Sequence, residues 1–368
     1  MTDHRVVMVG SFPPPVGGAA LVNQMVLDAL RADDVGVTPL DISGPALAHS
    51  RSLGYHANRM RANLRAARQA RRLGQPANTL YIVPDAGAGA WYTAGLIRAA
   101  EGQYGMVVIH HHSCRYIENH SRPIAMLTER TRRRAIHVFL SDGMAAGFRA
   151  RYGEVDSRIA GNARFVAEET AIPLTNVRAP GPLRMGHLSN LCAEKGFFLV
   201  ADTFDAVIKA GIDASLLLAG PALDNQVTAR IDDLKARHGA RVRHLGAVRG
   251  QAKQDFYRDI DVFLFPTQFR QEAAPLVIYE SLAAGVPVLA TDRGVIAEVL
   301  GNNGAVCAGD VDFATFALEH VRSMMASGET FASRAKRIRQ HMVDACERSN
   351  LEYDALLRLL VTPTRRPQ

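Results

Sequence analysis

Short, unbroken apolar runs alternate along this chain with longer stretches whose apolar residues recur every three or four positions. In the first half the runs predict strands at Arg5–Val9, Thr79–Val83, Met106–His110 and Ile136–Leu140, with helices at Ala19–Arg31, Ala57–Arg72 and Ala90–Ala100 between them. The second half repeats the scheme. Strands are predicted at Leu183–Leu188, Ser215–Ala219, Val242–Leu245, Val262–Phe265 and Val286–Ala290. Helices follow at Phe197–Ala210, Asn225–Arg237, Gln251–Arg258, Ala274–Ala284, Val295–Leu300 and Phe313–Met325. Runs such as VVMV, SLLLA and VFLF lack polar alternation, which suits parallel strands covered on both faces. Alternation of strand and helix specifies a doubly wound α/β architecture.

The chain has 368 residues, more than one hydrophobic core usually serves. The segment Ala171–Pro182, AIPLTNVRAPGP, carries three prolines and a glycine ahead of a fresh strand, and marks a break. The expected division is a first domain over residues 1–175 and a second over 176–345. A C-terminal helix within 346–368 is expected to pack back on the first domain. Two such domains present the carboxyl ends of their strands to ligands, as open α/β sheets do.

Composition narrows the class. Hydrophobic residues make up 48% and charged residues 21%, which is ordinary globular material. No apolar stretch approaches the ~20 residues of a membrane-spanning helix. The opening MTDHRVVMVGSF runs straight into a strand and lacks a signal-peptide layout, so a cytoplasmic protein is expected. Cys114, Cys192, Cys307 and Cys346 are too far apart for a zinc motif and read as reduced thiols. The net charge of +7 favours phosphate-bearing ligands or an anionic membrane face. Nucleic acid is not expected, because no zinc finger or aromatic-interleaved basic run is present.

Four segments carry chemistry. The first is Gln271–Asp292, QEAAPLVIYESLAAGVPVLATD, which leaves a strand and enters a helix near Ala274. Glu272 and Glu280 are two helical turns apart and would share a face. Helix N-termini favour anions, and a carboxylate accepts two hydrogen bonds from a vicinal diol. Taken alone, the pair favours the plainer reading of a capping Glu272 and an exposed Glu280 on an ordinary helix. The second is Gly186–Gly196, GHLSNLCAEKG, where Lys195 ends a strand-to-helix loop and can meet a diphosphate, or be merely solvated. The third is Gly10–Asn23, GSFPPPVGGAALVN, in which Gly17 and Gly18 permit close backbone approach before a helix. It is not the dinucleotide fingerprint. The fourth is His110-His111-His112-Ser113 at a strand end, where alternation puts His110 and His112 on one side and His111 on the other.

The first segment closely resembles the glutamate–seven residues–glutamate motif of the large retaining glycosyltransferase family four. The likeness includes Pro266, Pro275-Leu276, the small residues after Glu280, Gly285-Val286-Pro287-Val288, Thr291 and the downstream Gly294–Leu300. It implies the GT-B fold, two facing Rossmann-like domains with an inter-domain cleft. It implies a nucleoside-diphosphate sugar as donor and a hydroxyl on a glycan or lipid-linked acceptor, with retention and without cofactor or metal. By resemblance Glu272 contacts the donor sugar and Glu280 the ribose hydroxyls. The N–H groups of Ala273, Ala274, Pro275's successor Leu276 and their neighbours face the sugar phosphate. Lys195 clamps the diphosphate, the Gly17-Gly18 loop lies over it, and His112 stands beside the sugar with His111 as the alternative. One departure concerns the second segment, where many members carry an earlier arginine. Here Ser189 and Asn190 supply neutral hydrogen bonds, or a second cation comes from Arg249 or Arg270.

Two further features stand outside that set. Asp259-Ile260-Asp261 spells the metal-binding signature of another glycosyltransferase fold, but sits at a strand entry and reads as structural; Asp85–Trp91 reads as a tight turn on the acceptor side. On the predicted helix Ala57–Arg72, Arg61, Arg65, Arg68 and Arg72 recur at helical spacing beside Met60 and Leu64, and Arg59 adds charge. That helix reads as a solvated face or as a contact with anionic lipid at the inner side of a membrane. The rival functional readings are a nucleotide-sugar epimerase or hydrolase, and a non-catalytic glycan- or nucleotide-binding protein.

Overall fold

A computed structural model describes residues 4–14, 18–43, 53–100, 102–132, 134–166, 181–309 and 311–362. Gly17 and most of the break at Ala171–Pro182 lie outside the described residues. The chain folds as two units, Met1–Phe165 with Arg348–Gln368, and Val166–Glu347. Each is a parallel six-stranded sheet flanked by helices, and each is described separately.

The first unit holds β1 (Arg5–Gly10), β2 (Gly36–Asp41), β3 (Thr79–Ile82), β4 (Met106–His110), β5 (Ala135–Phe139) and β6 (Asp156–Ile159), in the order β2-β1-β3-β4-β5-β6. All pairings are parallel. Alternate residues of one strand serve opposite faces. Val6 and Met8 join Val22, Val26 and Tyr81 in one core. Val7 and Val9 join Leu80, Ile82, Ala66 and Ala70 in the other. Covering on both faces is why these strands read as unbroken apolar runs. The helix Phe331–Val361 begins in the second unit and ends in the first, where Tyr353, Leu356, Leu357 and Leu360 complete the first of these cores.

The second unit holds β7 (Leu183–Leu188), β8 (Ala214–Ala219), β9 (Val242–His244), β10 (Val262–Phe265), β11 (Val288–Thr291) and β12 (Gly304–Cys307), in the order β12-β11-β10-β7-β8-β9. Its pairings are parallel throughout. Counted from its own first strand this is the Rossmann order, and the order reverses direction between β7 and β10. Diverging loops at such a switch point leave room for a ligand at the strands' carboxyl ends.

The sequence missed β2, β6 and β12, and all three are edge strands. An edge strand is only half covered, so it lacks the apolar run that reveals a central one. In β6 the residues alternate between exposed and half-buried. The segment after β4 also holds helices Arg122–Thr131 and Asp142–Tyr152, which the apolar pattern did not single out.

Candidate active site

The loops leaving β7 and β10 meet at the switch point of the second unit. Lys195 ends the first loop and Glu272 lies in the second. The Lys195 ammonium donates to Glu272 Oε2 at 2.6 Å, and Thr267 Oγ1 lies 3.3 Å from the same oxygen. The ammonium also stands 4.7 Å from the centre of the Phe269 ring, within cation–π range. Glu272 is mostly buried, with 11% of its side chain exposed, against 27% for Lys195. A half-buried pair of opposite charges is poised to exchange partners with a ligand that offers both anion and hydroxyls.

Backbone approach makes this contact possible. Gly196 adopts φ 80°, and a Cβ there would stand 2.0 Å from the Pro266 carbonyl oxygen. Gln268 N–H donates to the Glu194 carbonyl at 2.9 Å, which ties the two loops together. On the far side Gly294, at φ 57°, presses against the Ala273 carbonyl, where a Cβ would come within 2.3 Å. Only glycine tolerates both the conformation and the crowding. The Glu272 loop is thereby held between two glycines.

The helix after this loop runs Leu276–Ala283, so Glu272 precedes it. This corrects the expectation of a helix from Ala274 with both glutamates on one face. Ala273 and Ala274 are buried in the loop, and Pro275 is the N-cap and supplies no side-chain cap. The amides of Leu276 and Val277 have no intrahelical acceptor, whereas the Ile278 N–H donates to the Pro275 carbonyl at 3.0 Å.

Glu280 lies in the second turn and belongs to a separate cluster. Its Oε1 accepts from the Lys253 ammonium at 2.7 Å, and the Tyr257 hydroxyl stands 3.0 Å from Oε2. Lys253 and Tyr257 occupy one face of the helix Gln251–Arg258, one turn apart. Sequence reading missed both. The signal was there, because lysine and tyrosine at i and i+4 before a buried strand place two polar tips on one side.

The loop after β7 contains no second cation. His187 is fully buried, and burial lowers its pKa to about 4 although the Leu264 carbonyl opposes the shift. The neutral ring donates from Nδ1 to Leu264 O at 2.8 Å and accepts at Nε2 from Ser189 Oγ at 2.8 Å. Ser189 therefore offers lone pairs rather than a proton, and Asn190 is the loop's neutral side-chain donor. Arg249 and Arg270 are both exposed. Arg293, adjoining Gly294, has a buried Nε with no hydrogen-bond partner among the described residues, and is a cation that sequence reading passed over.

In the first unit, Gly18 begins the helix Gly18–Ala32 behind the loop from β1. Asn23 Nδ2 donates to Ser11 O at 3.0 Å, and Ser43 brackets Phe12 from both its N–H and its carbonyl. The histidine run separates as alternation requires. His111 is fully buried against Phe139, its nitrogens 2.9 Å from Tyr116 Oη and 2.9 Å from His137 Nδ1. It belongs to the core, which leaves His112 as the strand-end histidine. His112 is half-buried, its ring 4.1 Å from that of His110, and burial lowers its pKa to about 4.

Asp261 is committed to Arg184, accepting 2.8 Å hydrogen bonds from both the side chain and the backbone N–H. Arg59 pairs with Asp85 and is largely covered, which removes it from the exposed basic face to which the sequence assigned it. Among the described residues no group of three or more His, Cys, Asp or Glu is disposed to hold a metal ion. No described helix is long and apolar enough to cross a membrane.

Residues 182–323, the greater part of the second unit, match the family model of glycosyl transferases group 1. No curated protein matches the sequence. Among solved structures, the chain resembles a UDP-forming α,α-trehalose-phosphate synthase from Burkholderia xenovorans, at 14% identity over 98% of this chain and 100% of that one, TM-score 0.67. Sucrose-phosphate synthase from Thermosynechococcus elongatus aligns at 15% identity over 97% and 99%, TM-score 0.68. HepE of Anabaena, solved with UDP and glucose, aligns at 15% identity over 96% and 99%, TM-score 0.61. At such identities the structural likeness speaks for the fold, and the family match speaks for the domain at the switch point. The chain is therefore a glycosyltransferase on the GT-B fold, and its second unit carries a glycosyl transferases group 1 domain.

Proposed function

We propose that this enzyme transfers a sugar from a nucleoside diphosphate to a hydroxyl of a lipid-linked or polysaccharide-type glycan, with retention at the anomeric carbon and without a metal ion. The observation that carries the reading is the Lys195–Glu272 pair, 2.6 Å apart at the switch point of the second sheet. In the donor complex Lys195 turns its charge to the diphosphate, joined by the first-turn amides at Leu276, and Glu272 turns to the sugar hydroxyls. Glu280, oriented by Lys253 and Tyr257, takes the ribose diol. The family resemblance also implies donor-binding roles for Gly17, Gly18 and His112. HepE was solved with UDP, so uridine diphosphate sugars are the first donors to try.

The chemistry follows from charge. The anomeric carbon–oxygen bond breaks and the leaving diphosphate gains negative charge, which an ammonium and oriented amides stabilise without a cation cofactor. The acceptor oxygen bonds on the same face, and its proton passes to the departing phosphate oxygen. The products are a glycoside and a nucleoside diphosphate. Work at the cytoplasmic face of a membrane follows if the acceptor is lipid-held.

The test is a panel of nucleotide sugars ranked by thermal shift, followed by incubation with and without hydroxyl acceptors and chelator. Diphosphate release that requires an acceptor and withstands chelation, with the donor's anomeric configuration kept by NMR, supports the proposal. Release without acceptor makes the protein a hydrolase, and binding without release makes it a non-catalytic receptor.

A further inference from the structure

Between Asp41 and Asp85 lie seven arginines and not one acidic residue. Setting those seven aside leaves 36 basic residues against 36 acidic, so this single stretch holds the chain's entire surplus of +7. Six of the seven are on the helix Leu53–Leu73. Arg59 is turned to Asp85, and the other five are exposed.

Those five are not scattered. At 100° per residue, Met60, Arg61, Leu64, Arg65, Arg68, Arg71 and Arg72 fall within a sector of about 140°. The opposite side, with Ala62, Asn63, Ala66 and Ala70, is buried, and Ala66 and Ala70 share a core with Val7, Val9 and Leu96. Arg61, Arg65 and Arg68 line a surface cavity of about 570 Å³ together with Asn58, Leu64 and Ser43. Met60 and Leu64, one turn apart, are 48% and 50% exposed between the guanidinium groups.

We propose that this face docks on an anionic phospholipid bilayer. The guanidinium forks match headgroup phosphates, the cavity between Arg61 and Arg68 is open to one such phosphate, and Met60 and Leu64 reach the boundary between headgroup and acyl chain. A soluble polyanion would satisfy the arginines and leave both apolar side chains wet, so a lipid surface fits the whole face and a polyanion only part of it. The inference rests on the reading of a membrane-held acceptor, and binding is measured apart from turnover, so each fails separately.

The test is sedimentation of the full chain with vesicles of phosphatidylcholine alone or mixed with phosphatidylglycerol, across a salt series. Binding is expected only with the anionic lipid, weakening as salt screens it. At about fivefold per arginine near such a surface, the triple variant Arg61→Gln, Arg65→Gln, Arg68→Gln loses affinity on the order of 100-fold. The variant Met60→Gln, Leu64→Gln, which leaves every charge in place, weakens vesicle binding at all salt concentrations. Thermal melts and turnover on a soluble acceptor are unchanged in both. Equal binding to neutral vesicles overturns the proposal, as does indifference of the anionic vesicles to either variant. Heparin binding as tight as vesicle binding and untouched by the Met60, Leu64 variant would make the face a polyanion site instead.

Discussion

Lys195 and Glu272 are 77 residues apart in sequence and 2.6 Å apart in space, each carried on a loop from one of two adjoining strands at the centre of the second sheet. Neither charge is placed by its own loop alone. The contact depends on the glycine at 196, which lets one backbone lie against the other.

Removing either member of the pair should cripple turnover. Losing one electrostatic contact to a developing negative charge costs about 3–4 kcal/mol of barrier. Lys195→Ala is therefore expected to lower kcat by roughly 100- to 1000-fold, with the melting temperature close to that of the wild type. Steady-state kinetics beside a thermal melt check this. Turnover near the wild-type rate in both Lys195→Ala and Glu272→Ala would refute the assignment.

Lys253 and Tyr257 should act on binding rather than on rate. Lys253→Met leaves Glu280 without its ammonium, and Tyr257→Phe removes a hydroxyl 3.0 Å from the same carboxylate. Each should raise KM for the donor several-fold while kcat stays within about twofold, the sign of lost uniform binding. Preference for a ribonucleotide over its deoxyribose analogue should narrow in the same variants. Calorimetric titration with both diphosphates reads that preference directly.

Gly196→Ala joins a strained conformation at φ 80° to a clash with the Pro266 carbonyl. A cost of about 1–3 kcal/mol is expected from the strain alone. Because the two loops must part, activity should fall further than stability. Gly211 has a similar φ and nothing within 4 Å, so Gly211→Ala provides the control, with a smaller drop in melting temperature and normal turnover.

Acid should unfold the protein through its histidines. Burial lowers the pKa of His137 and His187 to about 4, from 6.5 in the unfolded chain, and that of His110 and His111 well below 6.5. Between pH 6.5 and pH 4 the unfolded chain takes up protons that the native one refuses. Stability is full above that window and drains away as the pH falls, by about 1.4 kcal/mol per pH unit for each such imidazole. Melting temperatures should be level from pH 8 to pH 7 and drop steadily towards pH 5. Replacing His137 with Phe should flatten the slope, and an unchanged slope would contradict the assignment.

The sequence disclosed what burial forces on it and withheld what exposure leaves free. Central strands such as VVMV and VFLF are covered on both faces and were legible as apolar runs. Edge strands such as DSRI at Asp156–Ile159 carry no such run and were not. Within the site, Lys195 and Glu272 stood out through the motif they belong to. Lys253 went unnoticed because its spacing from Tyr257 marks only a polar helix face, and its meaning lies in Glu280, 27 positions away. Ser189 shows the same limit. Its residue type suggested a donor, and only the buried neutral ring of His187 reveals that its proton is already given away.

The helix Phe331–Val361 sets an order of events during synthesis. Tyr353, Leu356 and Leu360 fill the core of a unit whose strands were made more than 190 residues earlier. Those strands must wait on the ribosome with that face only partly covered, by the helix Gly18–Ala32, until residues 353–360 have emerged. The second unit carries no such debt to later residues beyond the start of that helix, so the half made last is free to finish first.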